Sequence, residues 1–160
     1  MADDAPGARR RVEIYDTTLR DGSQLEGISL TVDDKLRIAE QLDWLGVDFI
    51  EAGWPGANPK DDEAFRRART ELTLTTSTLV AFGSTRRPKG KVDSDDTLRH
   101  LVEAGTSTVC IVGKTWDYHV IEALGTTLDE GVKNGVRVKS SSWRRHDPNV
   151  MPPAAKGTDM

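Results

Sequence analysis

At 160 residues, with 36% hydrophobic and 30% charged side chains, the chain has the composition of one globular domain and no apolar run long enough to cross a membrane. Its formal charge of −4 and the lack of a basic patch interleaved with aromatics argue against nucleic acid as a partner, and its single cysteine excludes an internal disulfide and suits a reducing cytoplasm. Arg9, Arg10 and Arg11 lead into no apolar stretch of the kind a secretory signal needs, so residues 1–11 read as a disordered polar N-terminus.

Val12 to Tyr15 is an apolar, β-branched run that predicts a first strand, followed by a loop from Asp16 to Gly27. Thr31 reads as a helix N-cap, with Asp33 and Asp34 in the first turn where they favour the helix dipole. Leu36, Ala39, Leu42 and Leu45 recur every three residues and Gly46 closes the helix. Val47 to Ala52 predicts a second strand, broken by Gly53-Trp54-Pro55-Gly56 before a helix over Lys60 to Arg69. A third strand over Leu79 to Phe82 leads through a polar loop, Gly83 to Asp93, into a helix over Ser94 to Ala104 that stops at Gly105. Thr108 to Val112, with Cys110 inside it as an inert core thiol, predicts a fourth strand. Gly113-Lys114-Thr115 and a helical segment from Trp116 follow.

Alternating strands and helices call for a parallel sheet with right-handed crossovers, and strands that are apolar on both faces agree. A dinucleotide or P-loop fold would place a glycine-rich phosphate turn after the first strand, where this chain has Arg20-Asp21-Gly22-Ser23-Gln24. The strand ends instead deliver polar residues: Asp16, Arg20 and Asp21, then Glu51 and Trp54, then Ser84 and Arg86, then Lys114 and His119. Collection of such positions at one mouth is the habit of a parallel (β/α)8 TIM barrel, of which residues 12–130 would form about the first four βα units.

Asp21 is suited to ligate a divalent cation and Arg20 to bind a substrate oxygen, although an adjacent Arg and Asp alone are more often a surface ion pair. Gln24 can hydrogen-bond a substrate carboxylate or serve as an ordinary loop amide. Glu51 can position water or a substrate hydroxyl or be held in a structural ion pair. Lys114 and His119 are candidates for substrate or phosphate contact, His100 reads as surface or packing, and the Arg86–Lys91 cluster reads as a solvated loop. Trp54 and Trp116 are candidate pocket aromatics, and Trp44 a packing residue.

The string Tyr15-Asp16-Thr17-Thr18-Leu19-Arg20-Asp21-Gly22-Ser23-Gln24 closely resembles the signature of the DRE-TIM metallolyases, the family of isopropylmalate, homocitrate and citramalate synthases and hydroxymethylglutaryl-CoA lyase. Residues 49–61, 79–87 and 112–120 are similar to its (R)-citramalate synthase branch, and the resemblance runs from Arg11 to Glu130. It implies a Claisen condensation of acetyl-CoA with a 2-oxo acid, pyruvate for citramalate, in isoleucine or leucine biosynthesis. It also implies a divalent metal (Mg²⁺ or Mn²⁺, with Zn²⁺ as the alternative) and a homo-oligomeric full-length enzyme. Asp21 would then be a metal ligand and Arg20 the donor to the developing oxyanion, roles that agree with Lewis-acid polarisation and oriented hydrogen-bond donors. A carbon-carbon lyase or aldolase of the same family, or a non-catalytic half-barrel, are the alternatives.

The family pattern includes a His-x-His pair on a later strand, and His100, His119 and His146 form none. Residues 131–160 lose periodicity and turn basic, with six Lys/Arg against two Asp/Glu after Gly131. They read as a disordered or aberrant tail, of the kind a shifted reading frame or truncated coding sequence would produce. The expectation is a chain inactive by itself.

Overall fold

The computed structural model describes residues 11–140. Its order is β1 (Tyr15–Asp16), α1 (Val32–Leu45), β2 (Phe49–Gly53), α2 (Pro59–Glu71), β3 (Thr78–Ser84), α3 (Asp96–Glu103), β4 (Thr108–Val112), a π-helical turn (His119–Ala123) and α4 (Leu128–Ser140). All strand pairs are parallel, in the order β1-β2-β3-β4. This is the expected α/β sheet, a partial barrel whose β1 and β4 each have one strand neighbour among the described residues.

Local chemistry fixes the elements. Thr31 caps α1 reciprocally: its Oγ1 accepts from the Asp34 amide at 3.1 Å and its own amide donates to Asp34 Oδ2 at 2.9 Å. Gly46, at φ +87°, takes the left-handed conformation that ends the helix. Asn58 caps α2 through the Asp61 amide and Pro59 opens it, and Asp95 caps α3 through the Leu98 amide.

The core lies between the sheet and its helices in two clusters. Leu19, Ala39, Val47 and Ile50 pack under α1, and Ala52, Phe65, Ala81, Leu101 and Ala104 pack under α2 and α3. Residues pointing to these clusters alternate along β2 and β3 with residues on the opposite, concave face, which carries Glu51 and Phe82.

Several expectations need correction. The first strand is Tyr15–Asp16 rather than Val12–Tyr15, because Asp48 takes over the ladder ahead of it: its carboxylate accepts from the Ile14 amide at 2.9 Å, while the Ile14 carbonyl accepts from the amides of Asp48 and Phe49. Val12 and Ile14 are exposed. On α1 the buried positions are Lys35, Ala39 and Asp43; Leu45 and Trp44 are largely exposed, so Trp44 is not a core residue among the described residues. Lys35 is satisfied by Ala52 of β2 and Asp61 of α2, and Asp43 by the turn over Thr75, Thr76 and Ser77, partners that apolar periodicity does not anticipate. Finally, α4 crosses residue 131 and runs to Ser140, so the loss of apolar periodicity there does not end the helix. The rest of the anticipated tail and residues 1–10 lie outside the described residues. No helix among the described residues is long and apolar enough to cross a membrane.

Candidate functional site

The loop after β1 is wound tightly around one carbonyl. The Thr17 oxygen accepts from the amides of Arg20, Asp21 and Gly22 at 2.9–3.1 Å, and Ser23 Oγ donates to the Arg20 carbonyl at 2.9 Å. Asp16 stiffens its start by accepting from both the amide and the hydroxyl of Thr18. Leu19, 1% exposed, pins the loop into the core. These contacts turn the side chains of Arg20 and Asp21 away from the helices toward the C-terminal end of the sheet.

Arg20 is held on three sides. Its Nε donates to Glu51 Oε1 at 2.5 Å, its Nη1 donates to Asp21 Oδ1 at 2.9 Å, and its Cζ lies 4.0 Å from the centre of the Phe82 ring. Trp54 meets the same ring edge-on at 5.3 Å. Glu51 is 1% exposed, and its second oxygen accepts from the Tyr15 hydroxyl at 2.6 Å. Burial and the Glu51 hydrogen bond push the Tyr15 phenol far above its ordinary value. Burial also raises the Cys110 thiol, with Glu51 adding to the rise and the Tyr15 hydroxyl opposing it, so the thiol stays protonated and poorly nucleophilic.

Of the residues anticipated from sequence, Arg20, Asp21 and Glu51 thus form one connected chain of charge, and Gln24 is exposed on the same loop at the end of a single 3-10 turn. Lys114 and His119 sit beyond β4 and make no hydrogen bond to that chain among the described residues. Lys114 is exposed, and His119 packs edge-on against Trp116 at 4.7 Å. The Arg86–Lys91 segment is not simply a solvated loop. Arg86 is buried and donates to Glu130 of α4 at 2.8 Å, and the same carboxylate accepts from the Lys89 amide at 2.9 Å. Those two bonds hold the Glu130 carboxyl below its ordinary range.

Tyr15 and Phe82 escaped the sequence reading. Strand alternation was the available signal, since it places Glu51 and Phe82 on the face away from the helices. Nor was the Lys35–Asp61 pair anticipated. Lys35 Nζ donates to Asp61 Oδ1 at 2.5 Å and to the Ala52 carbonyl at 2.9 Å, while Asp61 Oδ2 accepts from the Trp54 amide at 2.9 Å. The pair ties α1 and α2 to the end of β2 and sets the loop that carries Trp54.

Asp21 retains substantial exposure and offers one carboxylate to a cation. Among the described residues no group of three His, Cys, Asp or Glu side chains is placed to hold a metal ion, so these residues do not by themselves fit a metal centre.

A solved structure of hydroxymethylglutaryl-CoA lyase from Pseudomonas aeruginosa matches with a TM-score of 0.61 at 18% identity, over 80% of this chain and 41% of that one, a likeness of fold. A protein named (R)-citramalate synthase from Aquifex aeolicus (strain VF5) is 53% identical over 122 residues, 76% of this chain and 23% of that protein. A 2-isopropylmalate synthase from Shouchella clausii (strain KSM-K16) is 37% identical over 127 residues, 79% of this chain and 24% of that protein. The chain therefore spans about a quarter of the length of these curated relatives. A family model described as HMGL-like matches residues 11–160. With a match of that extent, and the arginine–aspartate loop seated at the end of a parallel sheet, the chain belongs to the HMGL-like family.

Proposed function

We propose that this chain is the β1–β4 portion of an acyltransferase that condenses acetyl-CoA with a 2-oxo acid, and that Arg20 receives the ketone oxygen of that acid. The observation that carries the reading is the fixing of one guanidinium by Glu51, Asp21 and the Phe82 face at the C-terminal end of the sheet. A donor fixed before the reaction stabilises developing charge without reorganising, which is the main requirement of an oxyanion site.

In the condensation the acetyl methyl group loses a proton to a general base that the described residues do not identify. The resulting enolate carbon bonds to the ketone carbon, the ketone π-electrons move onto oxygen, and that oxygen takes up a proton to become the product hydroxyl. Arg20 donates to that oxygen as its charge grows. Water then cleaves the thioester and releases the thiol of coenzyme A. Glu51 holds the guanidinium, with Asp21 beside it as one ligand for a cation whose centre the described residues leave incomplete. Gln24, Lys114 and His119 are proposed to bind substrate: the amide with the acid's carboxylate, the two basic groups with the anionic coenzyme.

Pyruvate is the proposed 2-oxo acid, because identity is 53% to the protein named (R)-citramalate synthase against 37% to that named 2-isopropylmalate synthase. Calorimetric titration of the chain with pyruvate, with and without Mn²⁺, tests the reading. Binding that weakens at least about tenfold in Arg20→Ala, a loss of about 1.4 kcal/mol, supports it. Binding equal in the variant, or absent from the wild-type chain, contradicts it.

A further inference from the structure

On the concave face of the sheet, Arg20 is only as well fixed as the carboxylate that holds it. Glu51 has one oxygen on Arg20 Nε and the other on the Tyr15 hydroxyl at 2.6 Å. At 1% exposure the carboxylate has little access to water that could take the place of either partner. Tyr15 comes from a different strand, paired in register with Phe49, two residues before Glu51. Its ring lies 6.0 Å from that of Phe49, which fixes the phenol independently of the hydrogen bond.

From this arrangement we infer that Tyr15 is a positioning residue: its hydroxyl locks the Glu51 carboxylate in one orientation, and through it the Arg20 guanidinium over Phe82. The inference rests on the proposed function only for what Arg20 is held ready to do. A carboxylate with one oxygen short of its donor and buried has reason to rotate, because an unpaired buried acceptor is costly and, among the described residues, the donors left at hand are the guanidinium and the weak Cys110 thiol. Rotation would carry Arg20 off the Phe82 face, 4.0 Å below its Cζ, and scatter the geometry that an oxyanion needs. The phenol suits the role because its proton is not lost: burial and the Glu51 carboxylate both hold it in the neutral, donating form.

The test is Tyr15→Phe, which keeps the ring and its packing on Phe49 and deletes only the hydroxyl. Side-chain NMR of the 160-residue chain reads the Arg20 Nε–H directly, with the resonance assigned by its loss in Arg20→Lys. In the wild type this proton is expected to exchange slowly with water, and the Arg20 δ-methylene protons to be shifted upfield by the Phe82 ring. In a folded Tyr15→Phe variant the exchange rate is expected to rise about tenfold or more, the scale set by one lost hydrogen bond to a charged group, and the upfield shift to collapse. Both quantities unchanged in a folded variant would overturn the role, because a Tyr15 that only packs would leave them alone. Should the variant fail to fold, the wild type decides: a Tyr15 hydroxyl proton protected enough to be observed, with a cross-peak to the Glu51 methylenes, supports the lock, and a freely exchanging one overturns it. Pyruvate binding enters neither readout, so failure of the proposed function and failure of this role are distinguishable.

Discussion

Glu51 and Arg20 are joined across 31 residues of sequence by a 2.5 Å bond between a carboxylate that is 1% exposed and a guanidinium at the end of the sheet. Breaking a buried pair from one side strands the other charge, so Glu51→Ala and Arg20→Ala are each expected to destabilise the chain by ~3 kcal/mol. The double substitution is expected to cost clearly less than the sum of the two, because neither charge is then left alone. Urea unfolding of the four proteins measures the coupling, and strict additivity would mean that the two side chains are energetically independent.

Lys35 and Asp61 give a second case of the same physics. Lys35→Met leaves Asp61 without its cation although Asp61 still caps the Trp54 amide, with an expected loss of ~3 kcal/mol. The change is expected to appear in the fluorescence of Trp54, whose loop the pair secures, and not in Trp44, which lies exposed on α1. Single-tryptophan variants separate the two signals.

Gly53 leaves no room for a side chain. A Cβ there would stand 2.7 Å from the Asp61 carboxyl carbon, which the bonds to Lys35 and the Trp54 amide keep from retreating. Gly53→Ala is therefore expected to cost ~2 kcal/mol by overpacking. Gly46→Ala meets nothing within 4 Å and pays only for its φ of +87°, an expected ~1 kcal/mol. Thermal melts of both variants check the order.

Asp43 sets the acid limit of the fold. Its two oxygens accept from the amides of Thr75, Thr76 and Ser77 and from the Thr75 hydroxyl, which holds the carboxyl well below its ordinary range. A carboxyl depressed in the folded state contributes stability above its unfolded value, roughly pH 4, and that stability drains away as pH falls from there toward the folded value. Asp43→Asn is expected to flatten this acid limb while lowering stability at neutral pH by ~2 kcal/mol. Melting temperature followed from pH 7 to pH 2.5 tests both halves.

The sequence was most informative where local chemistry decides the structure. Thr31 with Asp34, and Gly46, marked the two ends of α1. Thr108–Val112 matched β4 to the residue, and the polar residues at the strand ends pointed to the mouth of a barrel. What it withheld depends on contacts between distant segments. Asp43 and Lys35 sit on the core face of α1, where apolar periodicity predicts leucines, because segments more than a dozen residues away supply their partners: the turn before β3 for Asp43, and β2 and α2 for Lys35. The shortening of β1 follows from the Asp48 carboxylate, which competes for the backbone of a strand that lies far ahead of it in sequence. Tyr15 was inside the motif that drew attention to Arg20, yet its role depends on Glu51, which only the parallel pairing of β1 with β2 brings alongside. The helix α4 continues past residue 131 to Ser140, and buried Asn134 shows that a polar residue can face inward there.

The central claim is that residues 11–140 carry the arginine that receives the 2-oxo acid. Its most direct test is to graft this segment in place of the corresponding one in the Aquifex aeolicus (R)-citramalate synthase, 53% identical over 122 residues, and to follow thiol release from acetyl-CoA with pyruvate. A folded chimera that turns over, and that loses about a hundredfold in kcat on Arg20→Lys, is the predicted result, the size being that of one lost oxyanion donor. A folded chimera without activity, or one indifferent to Arg20→Lys, would contradict it.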